Sequence, residues 1–385
     1  MKQLAFVLLV LLVLLFGRLS GMAESSLLEQ AYDKAGTNVL QLKKAFADSP
    51  KEHRPAIEFL ISYMPERDLK SLRSTFLLEN TALAYQARET FPWGQAIPEE
   101  IFFNDVLPYA TLNERRDNWR ADFYKRFSTI VADCSTIEEA VSAINKNIKE
   151  NLGVKYSTKR KKPDQSPYES MDIGLASCTG LSILLTDALR AVGIPARIAG
   201  TPMWTLKRGN HNWVEVFVGG EWKFTEHDNP NLNKAWFLKD AAAANTDKQF
   251  NKIYATSFKP ADYWFPLVWD MNIRYVHAVE VSDYYKEQYA KLAPAKPEKG
   301  YPVSVRLFAS KDGERVSGKI SIVNEEGAAV ASGKTAGPQD DMNNVLQFML
   351  PEGTYKAVFE DKQTCRTVEF SVQSGEVEKI DLFLK

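Results

Sequence analysis

The chain has 385 residues, with 48 basic against 49 acidic side chains and a 45% hydrophobic share. That apolar share excludes a largely disordered chain, and the balanced charge gives nucleic-acid binding no support as a main role. Repeated apolar runs of about 20 residues, which a polytopic membrane protein needs, are absent, and the length predicts two or three domains.

The N-terminus carries Lys2, an uninterrupted apolar run from Leu4 to Phe16, then Gly17, Arg18 and small residues at Gly21 and Ala23. A charged start, a short apolar stretch and a small-residue exit read as a secretory signal peptide over residues 1–23, cleaved after Ala23. The run falls short of a comfortable bilayer span. If uncleaved, it is the expected membrane contact. The mature chain is therefore expected in a periplasmic or extracellular setting. There Cys134 and Cys365 either pair or remain two buried thiols.

Residues 24–130 read as a helical region. Leu27, Leu28, Ala31 and Tyr32 recur at helical spacing, as do Ala56, Ile57, Leu60 and Ile61. The mixed charges Glu114, Arg115, Arg116, Asp117 and Arg120 are the pattern of a solvated helix face. Ser135-Thr-Ile-Glu138 has capping-box spacing and predicts a helix to about Asn151. A short strand is expected at Val154-Lys-Tyr156. The basic run Lys159 to Lys162 reads as a solvated loop, with a positive cleft rim as the alternative.

The chain has only three cysteines and four histidines. No CxxC or HExxH spacing occurs, so no metal site is predicted. Cys178 follows Ser177, a good N-cap, and Leu181, Leu184, Leu185, Ala188, Leu189 and Val192 trace one apolar helix face after it. A cysteine at the first helical position meets unpaired backbone N–H groups and the positive end of the helix dipole, which favour a thiolate.

Downstream, two alternating strands flank Gly219-Gly220 and predict a hairpin with a two-residue turn. Such a turn pairs positions whose numbers sum to about 439, so His211 faces Asp228, with Glu226 on the diagonal of the same face. Trp213 and Trp222 share that face, and His227 points the other way, as a surface or supporting residue. A His opposite a carboxylate beside an activated Cys is the geometry of nucleophile, base and orienter. The candidate catalytic residues are Cys178, His211 and Asp228, with Glu226 as the alternative acid. Trp204, Trp213 and Trp222 are candidate walls of the substrate cleft, or core.

Ser177-Cys178-Thr-Gly-Leu, Arg190-Ala-Val-Gly-Ile-Pro-Ala-Arg197, His211-Asn-Trp-Val-Glu-Val and Gly220-Glu-Trp222 together resemble the transglutaminase-like superfamily, the papain-like group with exported bacterial members. The resemblance covers about residues 135–240. The helical flank, including Phe59-Leu-Ile and Asn104-Asp-Val-Leu-Pro-Tyr109, looks like exported bacterial proteins with this core. The family has an Asp fifteen residues after its His, where this chain has Glu226. The resemblance implies an oxyanion donor upstream of the cysteine, for which Tyr156, Gln165 and Tyr168 are the candidates, beside the Cys178 backbone N–H.

The resulting fold class is α+β: a papain-like core over residues 131–285, a linker over 286–300, and an antiparallel β-sandwich over 301–385. The sandwich is read from short alternating strands such as Val303-Ser-Val305-Arg-Leu307 and turns at Lys311-Asp-Gly313 and Asn324-Glu-Glu-Gly327. The expected function is an exported cysteine amidohydrolase, peptidase or acyltransferase working through a thioacyl intermediate, with hydrolysis favoured over transamidation. Its expected substrates are proteins, peptides or cell-wall peptides, and no cofactor or nucleic acid is implied. The alternative is a non-catalytic binding or scaffolding protein on the same fold.

Overall fold

The computed structural model describes residues 27–207, 209–292, 300–374 and 378–385. The predicted signal segment and residues 293–299 of the predicted linker lie outside them. Among the described residues, no helix is long and apolar enough to cross a membrane.

Helices α1 (Val39–Asp48), α2 (Arg54–Tyr63), α3 (Ser74–Thr90) and α4 (Arg120–Ser128) form the N-terminal part. Their apolar faces do not close on themselves. Leu42, Ile57, Leu60, Leu77 and Phe123 join one continuous core with Leu184, Leu185, Leu189, Val214 and Val216. The helical region therefore extends the core behind the site.

The charged run at 113–120 is not a solvated face. Arg120 is buried and donates to Asn80 Oδ1 and to the carbonyls of Val106, Leu107, Pro108 and Arg190. Arg116 pairs with the buried Asp68 at 2.9 Å, and Glu114 accepts from the N–H groups of Thr111 and Leu112. The irregular chain around residues 106–112 leaves peptide groups that need partners once buried, and these side chains supply them.

Helix α5 (Ile137–Leu152) opens one residue later than the predicted box. Thr136 caps it and Glu139 closes the box. Helix α6 (Cys178–Ala191) follows a two-residue parallel pairing of Lys155–Tyr156 with Leu175–Ala176. Ser177 Oγ accepts from Gly180 N at 3.1 Å and donates to Pro163 O at 2.6 Å, so the cap is itself fixed.

The core sheet contains β1 (Ala196–Thr201), β2 (His211–Val218), β3 (Glu221–Thr225), β4 (Tyr254–Ser257), β5 (Tyr263–Trp264) and β6 (His277–Glu280), in the order β3-β2-β1-β4-β6-β5. All its pairings are antiparallel. Gly219 and Gly220 both have positive φ, 63° and 89°, as a type I′ turn requires. Val214 and Val216 face α6, while Trp213 and Phe224 pack on the far side against Phe237 and Tyr285.

Helix α7 (Ser282–Leu292) continues through residues read as linker, so residues 286–292 are helical. The C-terminal part has β7 (Tyr301–Phe308), β8 (Lys319–Asn324), β9 (Ala329–Lys334), β10 (Leu346–Leu350), β11 (Gly353–Glu360), β12 (Cys365–Val372) and β13 (Glu378–Phe383). Sheets β9-β8-β11-β12 and β10-β7-β13 enclose Val303, Val305, Leu307, Ile320, Ile322 and Leu382. One pairing departs from the antiparallel pattern: β13 runs parallel to β7. The three cysteines are free thiols, with Cys134 half-buried and Cys365 exposed.

Candidate active site

Cys178 opens α6 and His211 opens β2. The next residue of each element ties the two together: Asn212 Nδ2 donates to Thr179 Oγ1 at 2.8 Å. Cys178 Sγ, a His211 ring nitrogen and an Asp341 carboxylate oxygen all lie within 4.8 Å of one another. They line a cavity of about 190 Å³ together with Lys155, Tyr156, Asn212, Glu226 and Trp236, among others. Among the described residues, none before Lys149 lines it.

His211 is 2% exposed and boxed by aromatic rings. Trp236 lies 4.9 Å, Phe237 5.3 Å and Trp213 5.7 Å from its ring centre. Its Nε2 is 3.4 Å from Glu226 Oε2, and its Nδ1 is 3.4 Å from Asp341 Oδ2. Burial alone would lower its pKa. Asp341 first, then hydrogen bonding to Asp341, Cys178 and Glu226, raises it well above 6.5, so the ring is held as imidazolium. Asp341 is also desolvated, which raises a carboxyl. His211 and the Asn343 N–H outweigh this and hold it below its usual range.

The carboxylate facing Nε2 is Glu226, and Asp228 is displaced. The hairpin register does sum to 439, from Val218↔Glu221 to Val214↔Thr225, but β3 ends at Thr225. A turn follows, closed by Asn229 N donating to Glu226 O at 3.1 Å, and Asp228 takes a left-handed φ of 67°. Its half-exposed carboxylate lies 3.4 Å from Lys149 Nζ at the cavity rim. Glu226 is fixed by Trp236 Nε1, which donates to Oε2 at 3.1 Å. Burial and the nearby Lys149 lower the His227 pKa to about 3, so His227 is neutral at the cleft wall.

The oxyanion candidates separate. Tyr156 lines the cavity, and burial, then Asp341, pushes its hydroxyl pKa up, keeping it a neutral donor. Gln165 is spent on structure: Oε1 accepts from Lys161 N, and Nε2 donates to Leu175 O. Tyr168 donates to Asn118 O, away from the cavity. Neither lines the site.

The tryptophans also separate. Trp204 stacks on Trp213 and tilts toward His211 at 6.2 Å, as backing for the histidine. Trp213 is core, donating to Tyr285 Oη at 2.6 Å. Tyr285 donates in turn to Glu215, which pairs with Arg197 at 2.7 Å. Trp222 sits beneath the Arg197 guanidinium, 3.8 Å from its ring centre, and is no cleft wall. The sequence reading missed Trp236, on the loop after β3, and Asp341, on the sandwich loop between β9 and β10. No local signal marks either one. Two motif arginines prove structural: Arg190 donates to the Asp105 and Ala196 carbonyls, and Arg197 holds Glu215.

A cysteine at a helix start, a histidine at a strand start and a carboxylate on the far ring nitrogen define a papain-like thiol-enzyme arrangement. Residues 125–226 match the family model of the transglutaminase-like superfamily, so the chain carries a transglutaminase-like domain. Among solved structures, the chain is similar to a Cytophaga hutchinsonii protein provisionally named a cysteine protease: 17% identity, 42% of this chain, 58% of that one and TM-score 0.26. It is also similar to red sea bream transglutaminase, with 10% identity, 74% of this chain, 66% of that one and TM-score 0.35. The Bacillus anthracis TIE protein shares 14% identity over 50% of this chain and 30% of that one, at TM-score 0.18. The chain spans less than two thirds of each, and at these scores the likenesses carry no argument. No curated protein matches.

Proposed function

We propose that the protein is an exported thiol enzyme that cleaves peptide or amide bonds through a thioacyl intermediate on Cys178. The observation that carries this reading is the grouping of Cys178, His211 and Glu226, in which Glu226 Oε2 faces Nε2 at 3.4 Å and Cys178 Sγ lies within 4.8 Å of a His211 ring nitrogen, assigned as Nδ1. Cys178 thiolate attacks the amide carbonyl. The developing oxyanion meets backbone N–H groups of the first α6 turn, which have no intrahelical partner, and the Tyr156 hydroxyl. His211 gives its Nδ1 proton to the leaving amine as the C–N bond breaks, leaving a thioester. Water then attacks, His211 takes its proton, and the thiolate departs. Transamidation replaces that water with an amine. The polar lining of Lys149, Lys155, Asn212, Asn229 and Asn344 suits water as the second nucleophile, so hydrolysis is favoured. The substrates proposed are peptides, including cell-wall peptides.

The test compares release of ammonia or peptide with amine incorporation, in wild type and Cys178→Ala. Loss of both activities in the variant is expected. Unchanged activity would sink the mechanism. A binding or scaffolding role has one observation in its favour, the carboxylate of Asp341 standing inside the cleft.

A further inference from the structure

His211 has a carboxylate on each ring nitrogen, one more than a nucleophile–base–orienter arrangement uses. Glu226 comes from the core itself. Asp341 comes from the sandwich and lies against Nδ1, the nitrogen that the thiolate needs. It arrives on a loop built to reach the site. Arg315 donates to the carbonyls of Asp340, Asp341 and Asn344, which stiffens the loop from the sandwich side. Asp341 Oδ1 accepts from Asn343 N at 2.8 Å, which turns Oδ2 toward the histidine.

The rest of the loop grips the cleft. Met342 N donates to Tyr156 Oη at 3.0 Å, which anchors the loop backbone on the oxygen of the hydroxyl assigned to the oxyanion. Asn343 Nδ2 donates to Asn210 O at 2.8 Å, one residue before His211, and Lys207 Nζ donates to Asn343 O at 2.9 Å. Gly209 makes room: a Cβ there would lie 2.2 Å from Asn343 Oδ1, and its φ of +103° also suits glycine. Gln339, Asp340, Asp341 and Asn344 line the same cavity as Cys178.

We propose that residues 337–344 form a tethered plug, with which the sandwich domain occupies the substrate's place and keeps the enzyme latent until the loop is withdrawn. This rests on the thiol-enzyme reading above. Three consequences of the geometry make the closed form inactive. The Asp341 carboxylate faces the Nδ1 position from which His211 would serve the leaving amine. Its charge, close to the sulfur, opposes the thiolate. The loop backbone, 3.0 Å from the Tyr156 oxygen, occupies space that a substrate carbonyl needs to reach that hydroxyl. The occupied cleft that a scaffolding role would cite is, on this account, a resting state.

The experiment measures the rate of Cys178 carboxymethylation by iodoacetamide near neutral pH, in the intact folded chain. Wild type is compared with Asp341→Ala and Arg315→Met, each with and without His211→Ala. Asp341→Ala should label about tenfold faster than wild type, the scale on which one nearby like charge suppresses a thiolate. Arg315→Met should label faster by a smaller factor, and His211→Ala should cancel both gains. Labelling of Asp341→Ala at or below the wild-type rate, with its unfolding transition retained, overturns the plug and leaves the thiol enzyme standing. If Asp341→Ala does not fold, Arg315→Met and Asn343→Ala carry the same comparison, and no acceleration in either overturns the plug. Labelling that ignores His211 in every chain defeats the thiol-enzyme reading itself.

Discussion

The two sides of the cleft are built differently. On the core side, every residue of α6 from Thr179 to Ala191 is buried, and so are seven of the eight in β2. On the sandwich side, β9 has no buried residue and β10 has only Leu350, at its end. The core side places Cys178 and His211 through close packing on both faces, where a misplacement of an ångström is costly. The sandwich side reaches the same histidine through a loop held by hydrogen bonds to carbonyls. A thick core fixes the chemistry, and a thin one presents a contact that can be withdrawn.

The sharpest way to break that comparison is at the nucleophile. Cys178→Ala should lower amide hydrolysis by at least about 10⁴-fold, as removal of a catalytic nucleophile does, with the unfolding transition unchanged by denaturant titration. The core's anchoring is tested at Arg120→Ala. This removes one donor from each of the buried carbonyls of Val106, Leu107, Pro108 and Arg190, and should cost about 3–5 kcal/mol in urea unfolding, on the scale of breaking a buried polar network.

The assignment of the acid predicts a split between neighbours. Glu226→Gln should reduce kcat by about 10–100-fold, the scale of losing an orienting partner, whereas Asp228→Asn should change it less than about twofold, as exposed pairs with lysine contribute little. Steady-state kinetics of the two variants decides it.

The smallest effect lies at the sandwich contact and depends on pH. His211 is raised above 6.5 chiefly by Asp341, so its stabilising share is full below 6.5 and fades as pH climbs through the raised value. Asp341 is depressed below 3.8, so its share is present above 3.8 and fades as pH falls through the depressed value. Asp341→Asn should therefore lower Tm more at pH 6 than at pH 9.5, by about 2 °C, the shift that roughly 1 kcal/mol makes in a domain of this size. Calorimetry of both chains at the two pH values measures it.

The same contrast explains what was legible in the sequence. Cys178 and His211 could be read because their signals are local: an N-cap, an apolar helix face and a strand beside a Gly-Gly turn. That turn even fixed the hairpin register correctly. Period-two alternation does not say where a ladder stops, and β3 stops at Thr225, so Asp228 swings to Lys149 and Glu226 takes the histidine. Arg116 and Arg120 were misread because alternating charges look alike on a solvated face and in a buried network. Asp341 was out of reach: it lies 130 residues beyond His211 in another domain, and only the packing of sandwich on core brings the two together.

The central claim is that Cys178 is a nucleophile activated by His211, and covalent labelling in the folded state tests it most directly. Mass spectrometry that resolves the three cysteines after brief iodoacetamide treatment near neutral pH should find Cys178 modified, apart from any label on the exposed Cys365, in wild type and in Asp341→Ala, and should find the Cys178 modification slowed by His211→Ala. If Cys178 is modified only after denaturation, in wild type and in Asp341→Ala alike, the account is wrong.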